Sequence, residues 1–146
     1  MHRKELGIYI DRTYKIVRQD LINRFKENDI DLTPEQWVVV SRLRNDGGMF
    51  QTELANHSFR DKPTVSRIID LLVKKKVVTR TPDKKDGRRF MISLTKKGEE
   101  LVDHALPIVQ ESRDIGWTNL SEQEYDDLVR ILDKVFTNYS ELKEVL

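Results

Sequence analysis

Positive side chains crowd into residues 60–89. This stretch holds eleven lysines and arginines against four acidic residues, a net charge of +7, whereas the whole chain carries only +1. The phosphates of a nucleic acid attract such a surface, and its grooves can receive a helix or a hairpin. The chemistry that these residue types predict is therefore binding to double-stranded DNA.

Residues 61–75 have the pattern of a helix with one apolar and one polar face. A helical wheel gathers four apolar side chains on one side, Val65, Ile68, Ile69 and Leu72. Small and polar residues at the start of the helix suit a reader of the DNA major groove. We expect DNA contacts from Lys62, Thr64, Ser66 and Arg67. An ordinary solvated charged face is the alternative.

Two side chains of this helix have more specific predictions. Arg67 is the expected base reader, because a guanidinium can pair with guanine through two hydrogen bonds. Asp70 would repel phosphate, so we expect it to pair with Arg67 or Lys74 along the helix.

A basic loop follows, centred on a turn at Asp86-Gly87. Arg88 is the expected probe of the minor groove, where negative potential is strongest, and Asp86 is expected to orient its guanidinium. Phosphate contacts are predicted for the remaining cations of the loop, Lys84, Lys85 and Arg89. Gln51 or Thr52, at the start of an earlier helix, can bind a phosphate through its side chain and free amides.

The elements around these residues form a recognisable order. A short helix over 51–57, a tight connection at 58–60 and the helix of 61–75 make a helix-turn-helix. Strands at 77–81 and 90–94 then enclose the basic loop, and such a hairpin after a recognition helix is a wing. We predict a winged helix-turn-helix lobe over residues 33–95.

Two helix starts have strong capping signals. Thr33 and Gln36 have the spacing of a capping box, with Pro34 at the first helical position. Ser121 and Glu124 repeat the capping box before the last helix.

The flanking segments, 1–30 and 96–146, are predicted to be amphipathic helices that form a dimerisation lobe. The last helix has a stripe that one monomer does not cover, so we expect a homodimer interface that includes Leu128, Leu132, Val135, Phe136 and Tyr139. A monomeric bundle is the alternative. Residues 99–146 carry a net charge of −8, so they should face away from bound DNA.

Composition excludes several classes of function. The chain has no cysteine, which rules out disulfides and thiol-based sensing, and its three histidines lack metal-ligand spacing. We expect no metal and no cofactor. No nucleophile–base pair or phosphate-binding loop indicates an enzyme. No apolar run matches a membrane span and no signal-peptide pattern is present, so no membrane association and a cytoplasmic location are expected.

The chain resembles the MarR family of winged helix-turn-helix transcriptional regulators. The resemblance rests on ordered motifs over nearly the whole chain: L-T-P-E-Q-W (32–37), Q-T-E-L-A (51–55), P-T-V-S-R-I-I-D-L-L (63–72), D-K-K-D-G-R-R (83–89) and L-T-K-K-G-E-E-L (94–101). It implies a mainly α fold with a small β-hairpin. It also implies homodimers that bind pseudo-palindromic operators and usually repress transcription.

The resemblance raises two further points. Family members often bind small aromatic effectors, and Tyr9 and Trp37 are the expected lining residues, although aromatics at helical spacing more often belong to the core. The family commonly has glycine where this chain has Lys76. A left-handed conformation there would cost roughly 1 kcal/mol; otherwise Lys76 adds a phosphate contact at a differently shaped corner.

A second class of function also fits the basic surface. A winged-helix module could use the same face to bind an acidic protein partner. Preference for one DNA sequence over random duplex, with a steep salt dependence, would distinguish the regulator from this module.

Overall fold

A computed structural model describes residues 5–58 and 60–145, with side chains up to 142. The elements in chain order are α1 (Leu6–Glu27), α2 (Pro34–Asp46), β1 (Met49–Phe50), α3 (Gln51–Ser58), α4 (Lys62–Lys74), β2 (Val78–Pro82), β3 (Phe90–Leu94), α5 (Lys96–Gly116) and α6 (Glu122–Val145). The mainly α fold with a winged helix-turn-helix is confirmed. Phe59, in the predicted connection between α3 and α4, lies outside the described residues.

The predicted capping signals are confirmed. The Thr33 hydroxyl accepts a hydrogen bond from the Gln36 amide, and the Gln36 side chain accepts one from the Thr33 amide, both at 3.1 Å. Ser121 and Glu124 form the same reciprocal pair at the start of α6. These caps satisfy amides that a helix start leaves unpaired.

The sheet has three antiparallel strands in the order β1-β3-β2. The two predicted strands are confirmed, but β1 was missed, since two residues are too short to show an alternating pattern. Met49 pairs with Ile92 in the middle of β3. Within β3, Ile92 is fully buried, whereas Phe90 is 38% exposed near the loop.

The core unites α1–α5 and the sheet around the apolar side of α4. Val65, Ile69 and Leu72 are completely buried there, and Ile68 packs against them. The predicted face of the recognition helix is therefore confirmed. Burial of that face fixes which side chains of α4 remain at the surface.

The chain divides into two compact units, Met1–Ser112 and Arg113–Leu146. This division reflects how densely the residues pack within one chain. It does not test the dimerisation lobe predicted from the sequence, which stays a prediction. Among the helices of residues 5–58 and 60–145, none combines the length and apolar character that crossing a membrane requires.

The corner after α4 has a left-handed residue. Lys76 has φ +62°, and the amide of Val77 donates to the carbonyl of Leu72 across the turn. The left-handed alternative is thus the one that the chain adopts. Lysine replaces the glycine that tolerates this conformation more easily.

Candidate nucleic-acid interface

The polar side of α4 presents the predicted reader residues. Lys62 and Arg67 are exposed, and Thr64 and Ser66 are partly exposed near the start of the helix. The Asp61 carboxylate caps α4 by accepting from the Thr64 amide at 2.8 Å, and this hydrogen bond holds the pKa of Asp61 below its usual value. The cap stabilises the N-terminal end of α4. A helix that reads the major groove points this end at the base edges.

The hairpin loop holds Arg88 at its tip. Asp86 accepts hydrogen bonds from the Arg88 side chain and backbone amide, both at 3.1 Å, and these bonds lower the pKa of Asp86. A turn closes beneath them, because the Arg89 amide donates to the Asp86 carbonyl. The Arg88 side chain is nevertheless 92% exposed. Asp86 therefore orients a guanidinium that stays available to a ligand.

Arg89 is anchored differently. Its guanidinium carbon lies 3.6 Å from the centre of the Phe50 ring, a cation–π contact. Phe50 was not a predicted site residue, because only the pairing of β1 with β3 brings it below the wing. The contact ties the base of the loop to the start of α3.

A depression of about 140 Å³ joins the predicted site residues of three elements. Its lining comprises Phe50, Gln51, Thr52, Ala55, Lys62, Arg88, Arg89 and Phe90. The depression thus places three cations beside the start of α3. This arrangement suits a phosphate group. Lys84 and Lys85 lie outside it, exposed along the loop.

The expectation for Asp70 is wrong, and Gln51 has a partner within the protein. Asp70 pairs with Arg80 of β2, at 2.6 Å, and not with Arg67 or Lys74, because Arg80 reaches α4 from the neighbouring strand. The Gln51 side chain accepts from the same guanidinium at 3.1 Å. This contact uses the carbonyl oxygen of Gln51 and leaves its side-chain NH2 group, the donor that a phosphate would need. Phosphate binding by Gln51 or by the exposed Thr52 stays a prediction.

Arg80 is the functional candidate that sequence reasoning missed. A signal for it exists in the alternation of β2, where Val78 is buried, Thr79 is exposed and Arg80 turns inward again. A charged residue on the inner face of a strand requires a partner. Such a position predicts an ion pair with an acidic residue of a neighbouring element, here Asp70 of the preceding helix.

Of the two aromatic residues expected to line an effector site, Trp37 lines a groove and Tyr9 does not. Trp37 is 4% exposed and packs edge-to-face against Phe25, yet it also lines a groove of about 170 Å³. The groove is formed by Tyr14, Val17, Arg18, Leu21, Pro34, Glu35, Trp37, Val38 and Arg60. Tyr9 is not in its lining; it is exposed on α1, beneath the guanidinium of Arg12.

An ion pair lies along the same groove. The Arg18 guanidinium donates to both carboxylate oxygens of Glu35, at 2.7 and 3.0 Å. The hydrogen bond from Arg18 is the main reason why the pKa of Glu35 is lowered. The pair joins α1 to the first turn of α2.

The predicted dimer stripe lies along α6. Leu128, Leu132, Phe136 and Tyr139 are exposed and Val135 is partly exposed. With Tyr125 and Leu142 these side chains lie on one face of α6, each three or four residues from another member, the spacing of a helix that packs along a partner. No group of His, Asp or Glu residues suited to a metal ion occurs in the part of the chain that the structure describes.

Comparison with known proteins relates the DNA-binding region to one family. Residues 32–90, from just before α2 to the first residue of β3, match the MarR family model. This match agrees with the resemblance that the sequence motifs indicate. The match covers the recognition helix and the hairpin loop, which hold the basic surface described above.

Two curated relatives and one solved structure extend the similarity beyond that segment. The HTH-type transcriptional repressor NicR of Pseudomonas putida is 26% identical over 90% of this chain and 82% of its own length. The HTH-type transcriptional regulator SarZ of Staphylococcus aureus is 29% identical, with 82% and 80% covered. The S. aureus MepR–DNA complex superposes with a TM-score of 0.81 at 27% identity, over 91% of this chain and 97% of that one.

Proposed function

We propose that this protein is a MarR-family, sequence-specific DNA-binding transcriptional repressor that acts as a homodimer in the cytoplasm. The observation that carries the proposal is the shared basic surface of α4 and the wing. There one depression brings together Lys62 from the start of α4 and two arginines of the wing, Arg88 and Arg89. NicR is named a transcriptional repressor, and MepR is known in a complex with DNA.

The division of labour follows from geometry and charge. Side chains at the start of α4, above all Arg67, read base edges in the major groove, because a helix fits that groove. Arg88 enters the minor groove, since its guanidinium is exposed and oriented by Asp86. The lysines of the loop and Arg89 contact phosphates and supply the part of the affinity that is independent of sequence.

The homodimer is proposed from the apolar side chains that each unit leaves exposed. In α6 the side chains of Leu128, Leu132 and Tyr139 are exposed, and the first half of α1 exposes Leu6, Ile10, Tyr14 and Val17. A second copy would bury such surfaces. Two-fold symmetry then explains a pseudo-palindromic operator with half-sites roughly one DNA turn apart.

Release by a small aromatic effector is proposed for the groove beside Trp37. Its volume of about 170 Å³ suits roughly one aromatic ring, judged by cavities that hold benzene. Arg60 would favour an anionic substituent on that ring, whereas the charge of Arg18 is already paired with Glu35. Trp37 is the lining residue in this proposal, and Tyr9 could contribute only from outside the groove.

The experiment is selection of bound duplexes from a random DNA library with the full chain. We expect an enriched palindromic sequence bound at least about a thousandfold more tightly than random duplex at physiological salt. Binding to that sequence should weaken steeply as salt rises. Equal affinity for enriched and random duplexes would refute sequence-specific regulation and favour the module that binds an acidic protein partner.

A further inference from the structure

One arginine of β2 contacts two helices of the DNA-binding region. The Arg80 guanidinium pairs with the Asp70 carboxylate of α4 at 2.6 Å and donates to the Gln51 side chain of α3 at 3.1 Å. It also donates to the carbonyl of Ser66, one turn earlier in α4, at 3.4 Å. We refer to these four residues as the Arg80 clamp.

The chemistry of arginine suits such a clamp. Its planar guanidinium presents donors in fixed directions, so three acceptors on two helices are held in one geometry. The Arg80 side chain is 24% exposed, which limits competition from water. Arg80 also offsets the charge of Asp70, a carboxylate that would otherwise repel phosphates from the surface of α4.

The clamp lies between the two proposed DNA probes. Ser66 precedes Arg67 in the chain, and Asp70 is on the next turn of the same helix face. Arg80 itself belongs to the strand that leads into the wing, whose tip holds Arg88. The clamp therefore fixes the recognition helix relative to the wing and to α3.

Recognition of base edges requires a fixed orientation of α4 relative to the wing. Attraction to phosphates depends much less on that orientation. A hydrogen-bonding constellation must be held within roughly 0.5 Å and 10–20° of its productive geometry. Counterion release depends mainly on how many phosphates are neutralised. Loosening α4 against the wing should thus reduce discrimination between sequences and leave non-specific affinity nearly intact.

We propose that Arg80 is a positioning residue for operator recognition, acting through Asp70, Ser66 and Gln51 to hold the recognition helix against the wing. The inference rests on the proposed function, since it concerns how the same surface discriminates among DNA sequences. It assigns no direct DNA contact to Arg80.

Two variants separate geometry from charge. Arg80→Gln removes a positive charge and Asp70→Asn removes a negative one, so a purely electrostatic effect would move DNA affinity in opposite directions. If the clamp positions the helix, both variants lower the ratio of operator affinity to random-duplex affinity, each on the order of tenfold. The operator is the duplex that the wild-type chain enriches from the random library.

Two further variants complete the design. The double variant Asp70→Asn/Arg80→Gln keeps the wild-type net charge, and it should lose no more discrimination than the worse single variant, because the two residues act as one unit. Lys74→Gln is the matched charge control on α4. It changes operator and random-duplex affinity together and leaves their ratio within about twofold of wild type.

Hydrogen exchange of the free protein supplies a readout that does not depend on DNA. We expect faster exchange of α4 and β2 amides in both clamp variants, at a temperature where all variants remain folded. Wild-type discrimination in both clamp variants, or changes of opposite sign in operator affinity, would overturn the inference. If the wild-type chain enriches no duplex, the proposed function fails, whereas unchanged exchange refutes the clamp by itself.

Discussion

A Cβ atom added to Gly98 would stand 2.1 Å from the carbonyl oxygen of Val77. That oxygen accepts a hydrogen bond from the amide of Thr95 at 3.0 Å. The Thr95 hydroxyl donates to the neighbouring carbonyl of Lys76 at 2.7 Å and accepts from the Gly98 amide at 3.0 Å. The start of α5 is thereby fixed against the strand that leads into the wing. Only a glycine permits this close approach of two backbones.

Gly98→Ala should therefore destabilise the protein. The obstacle is a backbone carbonyl and not a flexible side-chain end, so we expect a loss of about 1–3 kcal/mol of unfolding free energy. Denaturant titration measures it. Gly116→Ala, at the end of the same helix and with nothing within 4 Å of the added atom, is the control and should not destabilise. Equal stability of the two variants would show that α5 can shift at no cost.

Lys76→Gly should stabilise the protein. The residue has φ +62°, a conformation that costs an L-amino acid roughly 1 kcal/mol and glycine very little. For a chain of this size a gain of about 1 kcal/mol raises the melting temperature by roughly 2–4 °C. Lys76→Ala, which removes the charge but keeps the strain, should melt close to wild type. A glycine variant that melts no higher than the alanine variant would contradict the strain.

The sequence predicted the parts of the fold that have local causes. Two capping boxes predict the starts of α2 and α6, because each box is complete within four residues. They are formed by Thr33 with Gln36 and by Ser121 with Glu124. The buried face of α4 follows from the spacing of Val65 and its apolar neighbours. These signals require no knowledge of distant segments.

Features that depend on tertiary pairing were not predicted. Met49 and Phe50 form a strand only because β3 offers them an edge, so a two-residue pattern cannot predict β1. Asp70 had candidate partners along its own helix, but the folded chain provides Arg80 from the next strand. The exposure of Phe90 likewise reflects its place at the wing, beyond the core that buries Ile92.

Arg88→Ala should weaken operator binding severely and leave the dimer intact. The side chain is 92% exposed and supports no core contact, so the loss falls on the DNA complex alone. We expect a 10- to 100-fold drop, about 1–3 kcal/mol, by analogy with other arginine–base contacts. Fluorescence anisotropy with the selected operator measures affinity, and sedimentation checks the dimer.

Lys84→Ala is the control for charge in the same loop. As a predicted phosphate contact it should weaken operator and random duplex together and lower the salt slope by about one. Unchanged operator affinity in Arg88→Ala would remove Arg88 from the minor-groove role.

Glu35→Gln should reduce the acid sensitivity of the fold. The hydrogen bond from Arg18 lowers the pKa of Glu35, so the folded state favours the charged carboxylate. That stabilisation is fully present above the ordinary glutamate pKa of 4.5 and is lost as the pH falls through the lowered value. Because the pair is partly exposed, we expect no more than about 1 kcal/mol at pH 7.

The measurement is unfolding free energy across the pH range from 7 to about 3. Wild type should exceed Glu35→Gln at neutral pH, and the difference should shrink on the acid side. Asp11→Asn removes an exposed pair with Lys15 on α1 and should change stability little at any pH. A constant difference between wild type and Glu35→Gln would mean that the carboxylate charge is not what stabilises the contact.

Leu132→Glu should separate the dimer. Leu132 is central in the α6 stripe and exposed within its own unit, so a carboxylate there would be buried without a partner in the proposed interface. We expect monomers in sedimentation velocity at micromolar concentration. Operator affinity should fall as well, because one monomer occupies one half-site and loses the gain from linked binding. Phe136→Glu should act in the same way.

Thr137→Glu is the matched control for the stripe, since it adds the same charge to an exposed position on the other side of α6. It should remain a dimer with wild-type operator affinity. The control also separates loss of the interface from loss of the helix, because both variants place glutamate in the middle of α6. If Leu132→Glu and Phe136→Glu also stay dimeric with normal affinity, α6 does not form the interface, and the exposed residues of α1 become the next surface to change.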